Sequence, residues 1–356
     1  MDALATVRYP GNGKNIVEAG MVEDDLRLDG KKVSFSIIFP RSTDPFMKSV
    51  IKAAETAIKT FASEDAEVTI TPKTQQAPAP EKPNPLPGVK NIIGISSGKG
   101  GVGKSTVASN LAVALAREGY RVGLLDADIF GPSVPKMFGV EDEQLYVTDK
   151  DGRQLILPAE KYGVKMLSIG FMVDRNASLT WRGGMASRAL TQLITEADWG
   201  ELDYFLIDMP PGTSDIHLTL VQTLALTGVV IVTTPQEVAL ADVRRGYTMF
   251  TDEKVGVPVL GLVENMAYFV PEKHPDEKYY IFGKEGGYEL AKELNVDLLA
   301  QIPLVGSIRE GGDKGEPIAL EDTITGQAFI HLAHELVDAV DRRNRELPET
   351  KKVELK

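Results

Sequence analysis

Residues 98–106 read Gly98-Lys99-Gly100-Gly101-Val102-Gly103-Lys104-Ser105-Thr106, and their types and spacing suit one kind of chemistry. Glycines without side chains let consecutive backbone N–H groups turn inward around an anion. Gly98, Gly103, Lys104 and Ser105 satisfy the spacing G-x-x-x-x-G-K-[ST]. In that arrangement the lysine reaches the outer phosphates of a nucleotide and the hydroxyl ligates Mg2+. The buried-strand run Ile92-Ile93-Gly94-Ile95-Ser96 precedes the loop, and a helical pattern over Lys104–Arg117 follows it. Strand, loop and helix in that order separate a phosphate cradle from a merely flexible turn, and the helix N-terminus adds donors and a favourable dipole. The expected ligand is ATP with Mg2+, held by Gly98 through Thr106.

Two further segments carry carboxylates at the ends of apolar runs: Leu124-Leu125-Asp126-Ala127-Asp128 and Phe205-Leu206-Ile207-Asp208. That edge of an α/β sheet is where ligands bind. Asp208 has the form of a metal-holding aspartate closing a buried strand. Pro210-Pro211-Gly212-Thr213 then supplies a stiff turn and one free residue, suited to sensing a γ-phosphate through the Gly212 N–H. An aspartate in such a place can also cap a turn, and both uses stay open for Asp126.

These groups need a scaffold, and the pattern supplies one. From Lys90 onward, β-type runs alternate with helical ones, which predicts an α/β fold around a mainly parallel sheet. The expected strands are Asn91–Ser96, Arg121–Asp126, Val164–Ile169, Tyr204–Met209, Val229–Thr234, Val259–Glu264 and Leu298–Ile302. Several are continuously apolar, as strands covered on both faces must be. Val107, Leu111, Ala114 and Leu115 form one helical stripe, and Ala328, Leu332, Leu336 and Val340 another, over about Thr323–Arg343.

Ahead of this domain (residues 90–344), residues 1–71 predict a small α/β module. It has strands at Val33–Phe39 and Glu67–Thr71 and a helix over 45–61, with Phe46, Val50, Ile51, Ala54, Ile58 and Phe61 at helical spacing. The proline-rich stretch 72–89 reads as a semi-extended linker, because proline removes donors and little apolar surface offsets ordering entropy. Residues 345–356 read as a polar tail.

Composition narrows the function. A net charge of −12 and a pI near 5.0 argue against a nucleic-acid partner, whose affinity rests on clustered Lys and Arg. No 18-residue apolar run and no basic-then-apolar leader is present, so neither a membrane partner nor secretion is expected, and the cytoplasm follows. The chain has no cysteine, so thiolate-held metals and iron–sulfur clusters cannot be ligated by cysteine here.

The phosphate loop with its additional Lys99 resembles the deviant Walker A motif of the MinD, ParA and nitrogenase iron-protein class. The resemblance implies that Lys99 crosses a dimer interface to the nucleotide of the sister subunit, where a second cation stabilises the transferring phosphoryl group. It also implies that Asp128 positions the attacking water and that Asp126 supports the Mg2+ shell. Asp128-Ile129-Phe130-Gly131-Pro132-Ser133, Asp208-Met209-Pro210-Pro211-Gly212-Thr213-Ser214-Asp215, Val263-Glu264-Asn265-Met266, Ile281-Phe282-Gly283 and Ile308-Arg309-Glu310-Gly311-Gly312-Asp313 together resemble the Mrp/ApbC family, over roughly residues 90–340. Residues 1–71 look like the small iron–sulfur-assembly domain often fused to it.

The resemblance implies an ATP-hydrolysing carrier of iron–sulfur clusters, a homodimer serving apo client proteins or an assembly scaffold. It gives Asn265 a hydrogen bond to adenine, although an asparagine after a strand also suits a turn. This chain departs from the family's usual Cys-x-x-Cys, because the stretch after Asn265-Met266 runs Tyr268-Phe269-Val270-Pro271-Glu272-Lys273-His274-Pro275-Asp276-Glu277. His274 with Glu272, Asp276 or Glu277 could instead ligate a metal, or the histidine is simply solvated. His331 and His334 are expected on the outer face of the last helix, and His217 reads as structural. The alternative function is a positioning or regulatory ATPase switch of the MinD/ParA kind, against which the polar, proline-broken tail argues.

Overall fold

The computed structural model describes all residues except 42, 75–83, 130, 151, 173–182, 272–273, 275–276 and 354–356. The chain divides into two compact units, Met1–Pro83 and Asn84–Lys356.

In the first unit β1 (Arg27–Asp29) pairs antiparallel with β2 (Lys32–Phe39), α1 (Met47–Phe61) crosses over, and β3 (Glu67–Thr74) returns parallel to β2. Phe35, Ile37 and Phe39 alternate onto the face that Val50, Ala54 and Ile58 cover, and this is the unit's core. Phe61, placed in the same stripe by its spacing, is 67% exposed, because the core ends a turn earlier at Ile58. β3 also outlasts its expected end: Pro72, Lys73 and Thr74 stay paired with Ile37, Ile38 and Phe39. Proline is tolerated there because β3 lies at the sheet edge and lacks a second neighbour needing its N–H. The linker residues 75–83 lie outside the described residues.

The second unit opens with β4 (Val89–Ser97), α2 (Lys104–Arg117), β5 (Val122–Asp126) and the single turn α3 (Val134–Met137). A hairpin of β6 (Tyr146–Lys150) and β7 (Arg153–Leu157) follows, then β8 (Ala159–Lys161), β9 (Val164–Ser168) and α4 (Gly183–Thr195). β10 (Leu202–Asp208), α5 (Asp215–Thr223), β11 (Gly228–Thr233), α6 (Glu237–Thr251), β12 (Val259–Glu264) and α7 (Gly286–Leu294) come next. β13 (Leu298–Gln301), α8 (Gly306–Lys314) and α9 (Ile324–Glu346) complete the unit.

Apart from the β6–β7 hairpin, these strands form an eight-stranded sheet of order β13-β12-β11-β4-β10-β5-β9-β8, in which, among the described residues, only β8 runs antiparallel. Odd and even positions of each central strand serve opposite cores. Ile93, Ile95, Leu124 and Leu206 meet α2 and α9, while Ile92, Leu125, Phe205 and Ile207 join Leu190, Leu193 and Trp199 on the other face. Burial on both faces explains why these strands read as unbroken apolar runs. β4 lies at the centre, with β10 on one side and β11 on the other, so the loop after it opens where the connections diverge.

Residues 345–353 are not a free polar tail. α9 continues to Glu346, Arg343 donates to the Pro348 carbonyl (2.7 Å) and to Thr350 Oγ1 (2.6 Å), and Val353 N–H donates to Val221 O (3.0 Å). Val353 is 8% exposed, so a short apolar anchor outweighs the polar composition around it. His331 and His334 are exposed on α9, the latter paired with Glu118 at 2.7 Å.

Candidate nucleotide-binding site

β4 ends at Ser97, and α2 begins at Lys104 with no side chain capping its N-terminus. The open donors of that first turn face a cavity of about 210 Å3, whose lining includes Lys99, Gly100, Gly101, Gly103, Lys104, Ser105 and Thr106. Gly98 and Val102 do not line it, and Val102 is 2% exposed within the core. Gly103 has φ 83°, and a Cβ there would come within 2.2 Å of Asn265 Nδ2, so conformation and space both demand glycine.

Lys104 is 6% exposed and carries the charge of the site. Its Nζ donates to Asp208 Oδ1 at 2.5 Å and lies 3.8 Å from Asp128 Oδ2 and 3.3 Å from Ser105 Oγ. Among the described residues Asp208 Oδ2 is buried without a hydrogen-bond partner, and it and the Ser105 hydroxyl are hard-oxygen donors of the kind Mg2+ takes. These residues therefore fit Mg2+ beside bound phosphates.

In the register of β10 on β5, Asp208 stands directly beside Asp126, and both are fully buried. Burial first and the Asp208 charge second push Asp126 up to about 7. Burial also raises Asp208, opposed by the adjacent Lys104 ammonium. The resemblance implies that Asp126 supports the Mg2+ shell, with the turn-capping use left open, and the contacts seen here are of the second kind. Its carboxylate accepts from Asp128 N (3.1 Å), Val134 N (3.2 Å) and Ser168 Oγ (3.0 Å). Both oxygens are thus occupied in shaping the turn that presents Asp128, the use open to any strand-end aspartate.

The segment after Asp208 is bonded back onto the phosphate-loop strand. The Gly212 N–H, expected to face a γ-phosphate, donates to Ser97 O at 2.9 Å. That bond ties it to the end of β4. The turn leads into α5, capped by Ser214 and by His217, whose Nδ1 accepts from Ser214 N at 3.1 Å. His217 is 1% exposed, and burial pushes it down to about 4. An unfolded histidine protonates near 6.5, so between about 6.5 and about 4 the unfolded chain binds the extra proton and stability falls as pH falls. His217→Gln keeps a capping side chain at this helix position but does not titrate. Denaturation midpoints measured across that window should flatten in the variant, by at most about 3 kcal/mol.

A second cavity, of about 300 Å3, shares Gly103, Thr106, Ser133 and Met137 with the first and extends past Asn265 and Met266 to Val305, Ile308 and Arg309. Asn265 is 5% exposed and its Nδ2 donates to Val102 O at 2.8 Å. One of its two side-chain N–H donors is therefore engaged by the phosphate loop, and Oδ1 is an acceptor. Of the metal candidates further along, His274 Nδ1 lies 3.6 Å from Glu277, both well exposed, while Glu272 and Asp276 lie outside the described residues. Among the described residues no three metal-ligating side chains come together.

A glycine loop between the central strand and a helix, a buried lysine facing a strand-end aspartate, and an adjoining base-sized cavity define a P-loop NTPase. Residues 88–337 match the family described as NUBPL iron-transfer P-loop NTPase, and residues 1–70 match the iron-sulfur cluster assembly protein family. The chain belongs to the former family, as its likeness to Mrp/ApbC proteins implies. It is 44% identical over 344 residues to a protein named iron-sulfur cluster carrier protein from Synechocystis, spanning 96% of each chain. An Escherichia coli protein of the same name is 51% identical over 253 residues, 71% of this chain and 66% of that one. The solved nucleotide-binding protein of Archaeoglobus fulgidus, in complex with ADP, superimposes with a TM-score of 0.56 at 39% identity, covering 65% of this chain and 88% of that one. No helix among the described residues is long and apolar enough to cross a membrane.

Proposed function

We propose that this protein binds ATP with Mg2+, hydrolyses it, and acts in iron–sulfur cluster assembly or transfer as a homodimer gated by its nucleotide. The observation that carries the reading is the Lys104 ammonium, buried between Asp208 and Asp128 at the mouth of the glycine loop. Bound phosphates would draw Lys104 off Asp208. Mg2+ held by Ser105 and Asp208 would then neutralise phosphate charge. Asp128, presented by the Asp126 turn, would orient water toward the γ-phosphorus as the bond to the β–γ bridging oxygen breaks, giving ADP and phosphate. Release of the Gly212 N–H from Ser97 would signal the bound state to the segment that follows.

The cluster role rests on kinship with proteins named as carriers, and the cysteine-free sequence limits what it can mean. Clusters are cargo in this reading, passed between partners that supply the thiolates. Anaerobic incubation with iron and sulfide, followed by visible absorption and iron counting, tests this directly. The chain alone should hold no stable cluster, whereas with a thiolate-bearing apo client the transfer rate should depend on ATP. Client loading indifferent to ATP would overturn the proposal.

Adenine is favoured over guanine because Asn265 Oδ1 can accept from an exocyclic amine and would oppose a carbonyl at the same edge. Asn265→Ala should narrow the ATP-to-GTP preference by roughly tenfold or more, the usual size for a polar contact that discriminates substrates. Competition binding with the two nucleotides measures it.

A further inference from the structure

Glu264 is a third fully buried acid, outside the phosphate cradle, and no cation pairs with it among the described residues. Its Oε1 accepts from Gly287 N at 2.6 Å, and its Oε2 accepts from Gln301 Nε2 at 2.5 Å. Gly287 is the second residue of α7, whose cap residue, Glu285, offers no side-chain acceptor. The Glu264 carboxylate is therefore the acceptor at the start of that helix, where an anion is favoured. The packing is close: a Cβ on Gly287 would lie 3.0 Å from Glu264 Cβ, and one on Gly286 would lie 2.3 Å from Pro235 O. The glycine pair lets α7 start hard against the strand ends.

Asn265 follows immediately. Its N–H donates to Thr233 O (2.8 Å) and its side chain to Val102 O, and the backbone then breaks at Met266 with φ 55°. β12 ends at Glu264, but backbone pairing runs on past Asn265, with Ala267 N–H donating to Ile302 O (2.9 Å) and Leu304 N–H to Tyr268 O (2.8 Å), and Glu264 ties the end of β12 to the start of α7. On its other side it holds Gln301, the register partner of Glu264 on β13.

We propose that Glu264 is the positioning residue for base recognition, fixing Asn265 against the phosphate loop by clamping the start of α7 and the end of β13. This rests on the adenine reading of Asn265 given above. A residue that acts through another shows it by non-additivity, whereas a merely structural one weakens both backgrounds alike.

The test uses the full chain as wild type, Glu264→Ala, Glu264→Gln, Asn265→Ala and the Glu264→Ala/Asn265→Ala double variant. Dissociation constants for ATP and GTP with Mg2+ are measured alongside thermal midpoints. Glu264→Ala should reduce the ATP-to-GTP preference by about tenfold, the scale of a lost buried hydrogen bond to a charged group. Glu264→Gln should restore most of it, since its oxygen can accept from Gly287 and the Gln301 amide can turn to present its own oxygen. In the Asn265→Ala background Glu264→Ala should change the preference no further. Losses that multiply in the double variant, or an unchanged preference in Glu264→Ala, overturn this proposal while leaving the adenine reading intact. An Asn265→Ala variant with wild-type preference removes the adenine reading and this proposal with it. Should Glu264→Ala not fold, Gln301→Ala removes one of the two donors and carries the same comparison, a loss equal in both backgrounds again overturning it.

Discussion

Lys104→Ala will abolish Mg-ATP binding and will also lower the stability of the nucleotide-free protein. The two effects share one cause. In the proposed function the ammonium is the cation that bound phosphates would need, and in the structure it is the cation that offsets the buried Asp208. Its loss from the cradle should weaken ATP by at least a hundredfold, about 3 kcal/mol, beyond what the remaining loop amides recover. Breaking a buried ion pair from one side costs about 3–5 kcal/mol, and protonation of the stranded carboxylate moderates that. A fall in thermal midpoint of about 5–10 °C follows for a unit of this size. The fall should shrink as pH decreases, because Asp208, already raised by burial, needs no cation once protonated. Calorimetric titration with Mg-ATP and thermal scans over pH check both parts.

Lys99→Ala should behave in the opposite way, keeping nucleotide and losing turnover. Lys99 lies half-buried in the loop, its carbonyl accepts from Ser97 Oγ at 3.0 Å, and no carboxylate pairs with its ammonium among the described residues. If that cation serves the nucleotide of a sister subunit, its removal takes away a contact made only as the phosphoryl group transfers. Cations in that role are worth about 10³–10⁵ in rate, so turnover should fall by at least about a thousandfold with ATP affinity changed only a few-fold. Mixing separates cis from trans action. A Lys99→Ala subunit beside a Lys104→Ala subunit has nucleotide in the first and an intact Lys99 in the second, so the mixture should regain turnover that neither variant shows alone. No recovery would place Lys99 in its own subunit's site.

The legible parts of this protein were those carried by local pattern. Ile92–Ser96 reads as a strand because apolar side chains meet a core on either face, and Lys104–Arg117 as a helix because Val107, Leu111, Ala114 and Leu115 form one stripe. The mainly parallel α/β class followed from those runs. Strand order did not, since the pairing of β4 with β10 and β11 joins residues far apart in the chain. The β6–β7 hairpin escaped notice because its sequence is half polar and Tyr146 and Val147 stay exposed.

In the site, residue types pointed to the cradle, but partners decide what each group does. Residue type alone does not separate Asp126 from Asp128, and only the resemblance gave them different roles, whereas in the structure one is fully buried against three donors and the other faces Lys104. Glu264 carried one signal that could have been read: a buried-strand acid followed some twenty residues later by the Gly286-Gly287 pair it packs against.

The central claim is that the loop amides and Lys104 hold a triphosphate with Mg2+ at Ser105 and Asp208. A crystal structure of the full chain with Mg2+ and a non-hydrolysable ATP analogue tests it most directly. Lys104 Nζ should have moved from Asp208 to the β- and γ-phosphates, with the metal on the Ser105 hydroxyl and the base beside Asn265. An analogue bound elsewhere, or a saturated crystal in which Lys104 still pairs with Asp208 and the cradle holds no phosphate, would contradict it.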